Sequence, residues 1–189
     1  MLTIEFFGTN LSVTFGFLFL IAANTAGGDM LTLYCLAFCI IHELAHLVCM
    51  RLLSVDVSEI KLYGGGIKIC GRGLSVLDKC RQLIIYCSGC AANLILAAVF
   101  YLAGSTLFCT VNLCLLILNL MPVSYFDGGQ VLSLVFPDKR RLRAALSAAS
   151  VCIIVGLALF GIFVSKDTVS LSALITLAFI ILSDLLDVC

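Results

Sequence analysis

Charge is what this 189-residue sequence has least of: 11 Lys and Arg with 11 Asp and Glu make up 12% of the chain, against 62% apolar residues. A soluble domain carries about 25% charged residues, so this composition, with a mean hydropathy of +1.21, excludes that class and points to a bilayer. Net charge is also lacking, and no basic run interleaved with aromatics is present, which excludes a nucleic-acid partner. No internal repeat, low-complexity tract or separate soluble domain breaks the chain. Met1 to Asn10 contains Glu5 but no basic residue ahead of the first apolar run, unlike a cleaved secretory signal. That first apolar segment is therefore expected to belong to the mature protein.

Cysteine, by contrast, is plentiful at eleven residues. Most of these lie in apolar stretches, where a thiol packs as a small side chain, and they are expected to be reduced. A helix needs about 20 mostly apolar residues to cross a hydrocarbon core. Candidates run over Leu11 to Ala23, Met30 to Leu53, Gln82 to Ala103, Ser105 to Met121, Ala144 to Val164 and Val169 to Leu186. The first is short, and Leu2 to Phe7 before it reads as a possible strand. Lys and Arg gather in cytoplasmic loops. Arg51, Lys61, Lys68, Arg72, Lys79 and Arg81 flank or fill the connection between spans two and three; Lys139, Arg140, Arg141 and Arg143 fill that between four and five, leaving only Lys166 outside. The expectation is an all-α polytopic membrane protein of about six helices, a single domain over 1–189, with both termini and the inner ends of spans two and four cytoplasmic.

Between spans two and three, Val57 to Cys70 alternates weakly around Tyr63-Gly64-Gly65-Gly66-Ile67. This predicts a short hairpin or re-entrant strand pair, or else a flexible turn.

The two histidines of the chain fall in one motif, His42-Glu43-Leu44-Ala45-His46, in the inner half of the second span. Positions i and i+4 share a helix face, so both imidazoles can reach one metal while the glutamate faces a water. A carboxylate in such a segment is costly and normally functional; the alternative is a pair of packed interior histidines. A catalytic zinc usually takes three protein ligands, so an acid or thiol is missing. Asp127, in Asn119-Leu120-Met121-Pro122-Val123-Ser124-Tyr125-Phe126-Asp127-Gly128-Gly129, is the candidate. Pro122 breaks the fourth span, and Gly128 and Gly129 permit a tight backbone from which a new helix can start. Taken alone, Asp127 reads equally as a helix N-cap. Cys39, on the histidine stripe with Cys35 and Cys49, is a rival thiolate ligand or a small packing residue. Cys87-Ser88-Gly89-Cys90 has redox spacing but lies in an apolar helix.

These residues resemble the site-2 protease family of intramembrane metalloproteases. The likeness rests on His42-Glu43-x-x-His46, on Asn119-x-x-Pro122-x-x-x-x-Asp127-Gly128 and, more weakly, on Gly89-x-x-x-Asn93. It covers spans two to four and is nearest the minimal six-span branch that includes a sporulation pro-sigma-factor protease. The chain departs in having Cys90 where members often carry Pro, and Ser124, Tyr125 and Phe126 where they often carry a second Pro and Leu.

The resemblance implies a catalytic core over about 30–136, accessory helices over 144–187, a fourth helix broken before Asp127, and one Zn²⁺ held by His42, His46 and Asp127. Glu43 would be the general base, and Asn119 an oxyanion or substrate-positioning group. The substrate would be a membrane-tethered regulator, such as a sigma-factor precursor or anti-sigma factor, in a bacterial cell membrane, under a separate regulatory membrane protein. Gly64 to Gly66 would clamp the unwound substrate as an added strand. The rival classes are a zinc-binding membrane protein without catalysis, either a transporter or a helix-binding scaffold, and a prenyl-tail processing protease with no use for Asp127.

Overall fold

The computed structural model describes residues 2–6, 9–15, 22, 30–63, 66–123 and 126–165. Among these the fold is mostly helical, with helices α1 (Met30–Leu52), α2 (Lys79–Leu102), α3 (Thr106–Leu120), α4 (Asp127–Val135) and α5 (Arg140–Ser165). Strands β1 (Leu2–Phe6), β2 (Thr9–Val13), β3 (Asp56–Tyr63) and β4 (Gly66–Arg72) form one sheet in the order β1-β2-β3-β4. The chain divides into two compact units, Met1–Leu118 and Asn119–Cys189.

The sheet corrects the all-α expectation. Val57 to Cys70 falls within the antiparallel pair β3–β4, and two further strands precede it, with β2 parallel to β3. Leu11 to Val13, the start of the expected first span, is therefore strand. The cause is visible in the residues: Leu2, Ile4 and Phe6 alternate with Thr3 and Glu5, and Leu11 and Val13 flank Ser12, a period of two that suits a pleated strand. Ser12 is buried and donates from Oγ to Glu59 on β3 at 3.3 Å. Gly64, Gly65 and the sixth span, Val169 to Leu186, lie outside the described residues.

In the first unit, α1 hands the chain straight to the sheet through a Schellman turn. Ser54 takes a left-handed φ of 58°, its N–H donates to Arg51 O at 3.1 Å, and the N–H of Val55 donates to Met50 O at 2.9 Å. The hydrophobic contact that accompanies such turns is supplied by Met50 and Val55, which join Val57 and Ile85 in a buried cluster. This core ties the end of α1, the start of β3 and the first turns of α2 together. Asp78 caps α2, accepting from the Arg81 N–H at 3.3 Å. Farther along the helices Phe38 packs edge-on against Phe100 and Phe108, with ring centroids 5.5 and 5.7 Å apart.

Leu33–Leu52 and Lys79–Leu102 are long and apolar enough to cross a membrane. Their outer faces carry exposed Ile40, Leu44 and Val48 on α1 and Ile84, Ile95 and Val99 on α2. An apolar exterior of that extent suits lipid and not water. α3 is apolar but shorter, at 15 residues.

In the second unit, Pro122 ends the helical path after Leu120. The N–H groups of Val123 and Phe126 find carbonyls at Met121 (2.8 Å) and Val123 (2.9 Å) before α4 begins at Asp127. A side chain at position 128 would strike the Leu120 carbonyl oxygen and lie 2.6 Å from that of Met121. Glycine is what lets the broken segment fold back this closely. α4 and α5 pack on each other.

Candidate metal centre

His42 and His46 lie one turn apart on α1, on the face turned towards α2, and both are buried, at 3% and 6% exposure. Their Nε2 atoms stand 3.2 Å apart. Two nitrogens sharing one tetrahedral zinc at about 2.0–2.1 Å each are separated by about 3.3 Å, so the observed spacing fits a shared ion without rearrangement.

The remaining ring nitrogens are held by α2. His46 Nδ1 is 2.8 Å from the carbonyl oxygen of Ile85; a carbonyl can only accept, so Nδ1 carries the proton and Nε2 presents its lone pair. Ser88 Oγ donates to the same carbonyl at 2.7 Å and lies 3.1 Å from His46 Nδ1. His42 Nδ1 faces the carboxamide of Asn93, with Nδ2 at 3.1 Å. Backbone-carbonyl and polar partners on the far nitrogen are the usual way that a metal-binding imidazole is oriented.

Gly89 stands between these contacts. A Cβ built there would strike His46 Nε2 and lie 2.5 and 2.6 Å from Nε2 and Cε1 of His42. Ile85, Gly89, Asn93 and Ala97 are all buried and recur every four residues, so one stripe of α2 forms a bed cut to the shape of two imidazoles. Buried, paired nitrogen donors over a glycine cradle fit a metal ion of the zinc type.

Glu43 is half-buried on α1, next in sequence to His42. Asn119 and Asp127 belong to the second unit, Asn119 half-buried at the end of α3 and Asp127 half-buried as the first residue of α4. The capping position before α4 is taken by Phe126, without a side-chain hydrogen bond. Asp127 therefore does not act as the N-cap that the sequence alone allows; it lies one residue inside, where a carboxylate is favoured by the helix dipole. Cys39 and Cys49 are free thiols. Sequence reasoning missed the Ile85 carbonyl and Ser88 altogether, reading Ser88 only as part of a cysteine motif. The one available signal was the four-residue recurrence of residues 85, 89 and 93.

No protein-family model matches the chain, and no curated protein matches it. Among solved structures it is similar to the Site-2 Protease from Methanocaldococcus jannaschii, with a TM-score of 0.66 and 18% sequence identity over 98% of this chain and 94% of that one. At this identity the likeness establishes a shared fold.

Proposed function

We propose that the chain is an intramembrane zinc metalloendopeptidase of the site-2 protease family, cutting a peptide bond in or near a transmembrane segment of a membrane-tethered protein. The observation that carries this reading is the buried pair of Nε2 atoms of His42 and His46, 3.2 Å apart over Gly89 on an apolar helix. The fold shared with a site-2 protease supports it.

We assign Asp127 as the third ligand. With two histidines a carboxylate completes a catalytic zinc sphere, and Asp127 is the acid that follows the broken fourth span in the sequence. Zinc held there would lower the pKa of a water to about 7 and polarise the scissile carbonyl. Glu43 takes a proton from the attacking water and returns it to the leaving amine. Asn119 donates from its carboxamide to the developing oxyanion or to the substrate backbone. β4, at one edge of the sheet, offers its free side to a substrate segment that has unwound to an extended strand. A sigma-factor precursor or anti-sigma factor, and a separate membrane protein that controls access, are the partners that this reading favours.

The test compares protein N-termini by mass spectrometry in source cells expressing the wild type or Glu43→Gln, which keeps the ligands and removes the base. A new terminus beside a transmembrane segment, present only with the wild type, is the expected result. Matching proteomes from cells whose enzyme is zinc-loaded would move the reading to a metal-binding membrane protein without catalysis.

A further inference from the structure

Each imidazole of the pair has one nitrogen for an ion and a second that must be occupied. For His46 the second is settled by the Ile85 carbonyl, which accepts and nothing else. For His42 the partner is Asn93, whose carboxamide has a donor end and an acceptor end of the same size. As the structure stands, Nδ2 lies 3.1 Å from His42 Nδ1, while Oδ1 of this wholly buried residue has no hydrogen-bond partner among the described residues. With Nδ2 on that side Nδ1 could only accept, and the ring proton would sit on Nε2, the nitrogen that faces His46. The half-turned carboxamide sets Oδ1 against Nδ1: the amide oxygen gains a donor, the ring proton sits on Nδ1, and Nε2 presents its lone pair.

We propose that Asn93 is a positioning residue of the metal centre, its carboxamide oxygen accepting from His42 Nδ1 so that Nε2 is the nitrogen left to ligate. This rests on the reading that the pair holds an ion. It explains why a buried amide lies at the bottom of an apolar helix interface, and it gives its unpartnered oxygen a donor.

The experiment uses the full chain in detergent, with Zn²⁺ affinity measured against a chelating dye and Co²⁺ absorption as a report of tetrahedral ligation. Asn93→Asp retains only the accepting function; Asn93→Leu keeps the volume and removes both. The expected result is zinc affinity within a few-fold of wild type for Asn93→Asp and a loss of about 10- to 100-fold for Asn93→Leu, with a weakened tetrahedral Co²⁺ band. A packing role predicts the reverse order, since leucine suits the apolar surroundings; the reverse order, equal losses or no loss in either variant all overturn the proposal. Where a variant does not fold, ¹⁵N shifts of His42 in the zinc-loaded wild type decide: Nδ1 should be the protonated nitrogen, and an unprotonated Nδ1 overturns the inference. A wild type that takes up no zinc removes the metal reading and this inference with it, whereas zinc-binding wild type and Asn93→Leu proteins of equal affinity remove this inference alone.

Discussion

A single atom decides much at the metal centre. The imidazoles of His42 and His46 rest where a side chain at position 89 would be, and both rings are held from behind by Asn93, Ser88 and the Ile85 carbonyl. Neither ring can retreat without giving up a buried hydrogen bond, at about 1–3 kcal/mol for each group left unsatisfied. Gly89→Ala should therefore leave the helix intact, alanine being the better helix former by about 1 kcal/mol, yet displace the pair. We expect zinc affinity to fall at least tenfold while the helical content measured by circular dichroism is unchanged; an alanine variant that binds zinc like the wild type would show that the cradle is dispensable. Glu43→Gln is expected to behave in the opposite sense. Glu43 is not one of the assigned ligands, so zinc should stay bound while peptide cleavage in a reconstituted assay drops by about 10²- to 10⁴-fold, the typical contribution of a general base.

At the scale of elements, the informative piece is the break between α3 and α4. A Cβ at Gly128 would meet the backbone carbonyls of Leu120 and Met121, and backbone, unlike a flexible side chain, has little room to yield. Gly128→Ala should destabilise the fold by about 1–3 kcal/mol, the usual cost of overpacking, and should move the start of α4 and Asp127 with it. The check is a lowered thermal midpoint in detergent together with lost cleavage. The same elements show what the sequence could disclose. The histidine pair was legible because i, i+4 spacing is a local property, and the break was legible because Pro122 cannot donate to a helix. Asp127 was ambiguous in the sequence, as an aspartate before two glycines suits a cap or a ligand; the cap position at Phe126 resolves only the first half of that choice. The parallel pairing of β2 with β3 was not legible, because Leu11 meets Ile60 across all of α1 and nothing in either strand names its partner. The Ile85 carbonyl was invisible for a different reason: every residue has one, and only the packing of α2 on α1 selects which of them receives an imidazole.

For the molecule as a whole, the apolar exteriors of α1 and α2 make lipid or detergent a condition of stability, and an ion at the proposed site would add a second. Anything that binds the folded chain and not the unfolded one stabilises it by RT ln(1 + [L]/Kd), about 2.7 kcal/mol when the ligand is at 100 times Kd. Thermal unfolding of the detergent-solubilised chain should therefore shift upwards with Zn²⁺ and fall back with a chelator, and the size of the shift reads out which residues hold the ion. Wild type and Glu43→Gln should shift alike, because the base is not a ligand. His46→Ala should lose the shift, since one imidazole of the buried pair is gone and the Nδ1 partners on α2 have nothing left to orient. Asp127→Ala is the discriminating case. If the carboxylate is the third ligand, its removal should weaken zinc binding by at least tenfold and shrink the shift by about 1.4 kcal/mol for each tenfold loss while zinc remains in excess. A shift equal to wild type would instead leave the ion with the histidines and an unassigned group, which is what a zinc protease with no need of the Asp127-Gly128 segment would show.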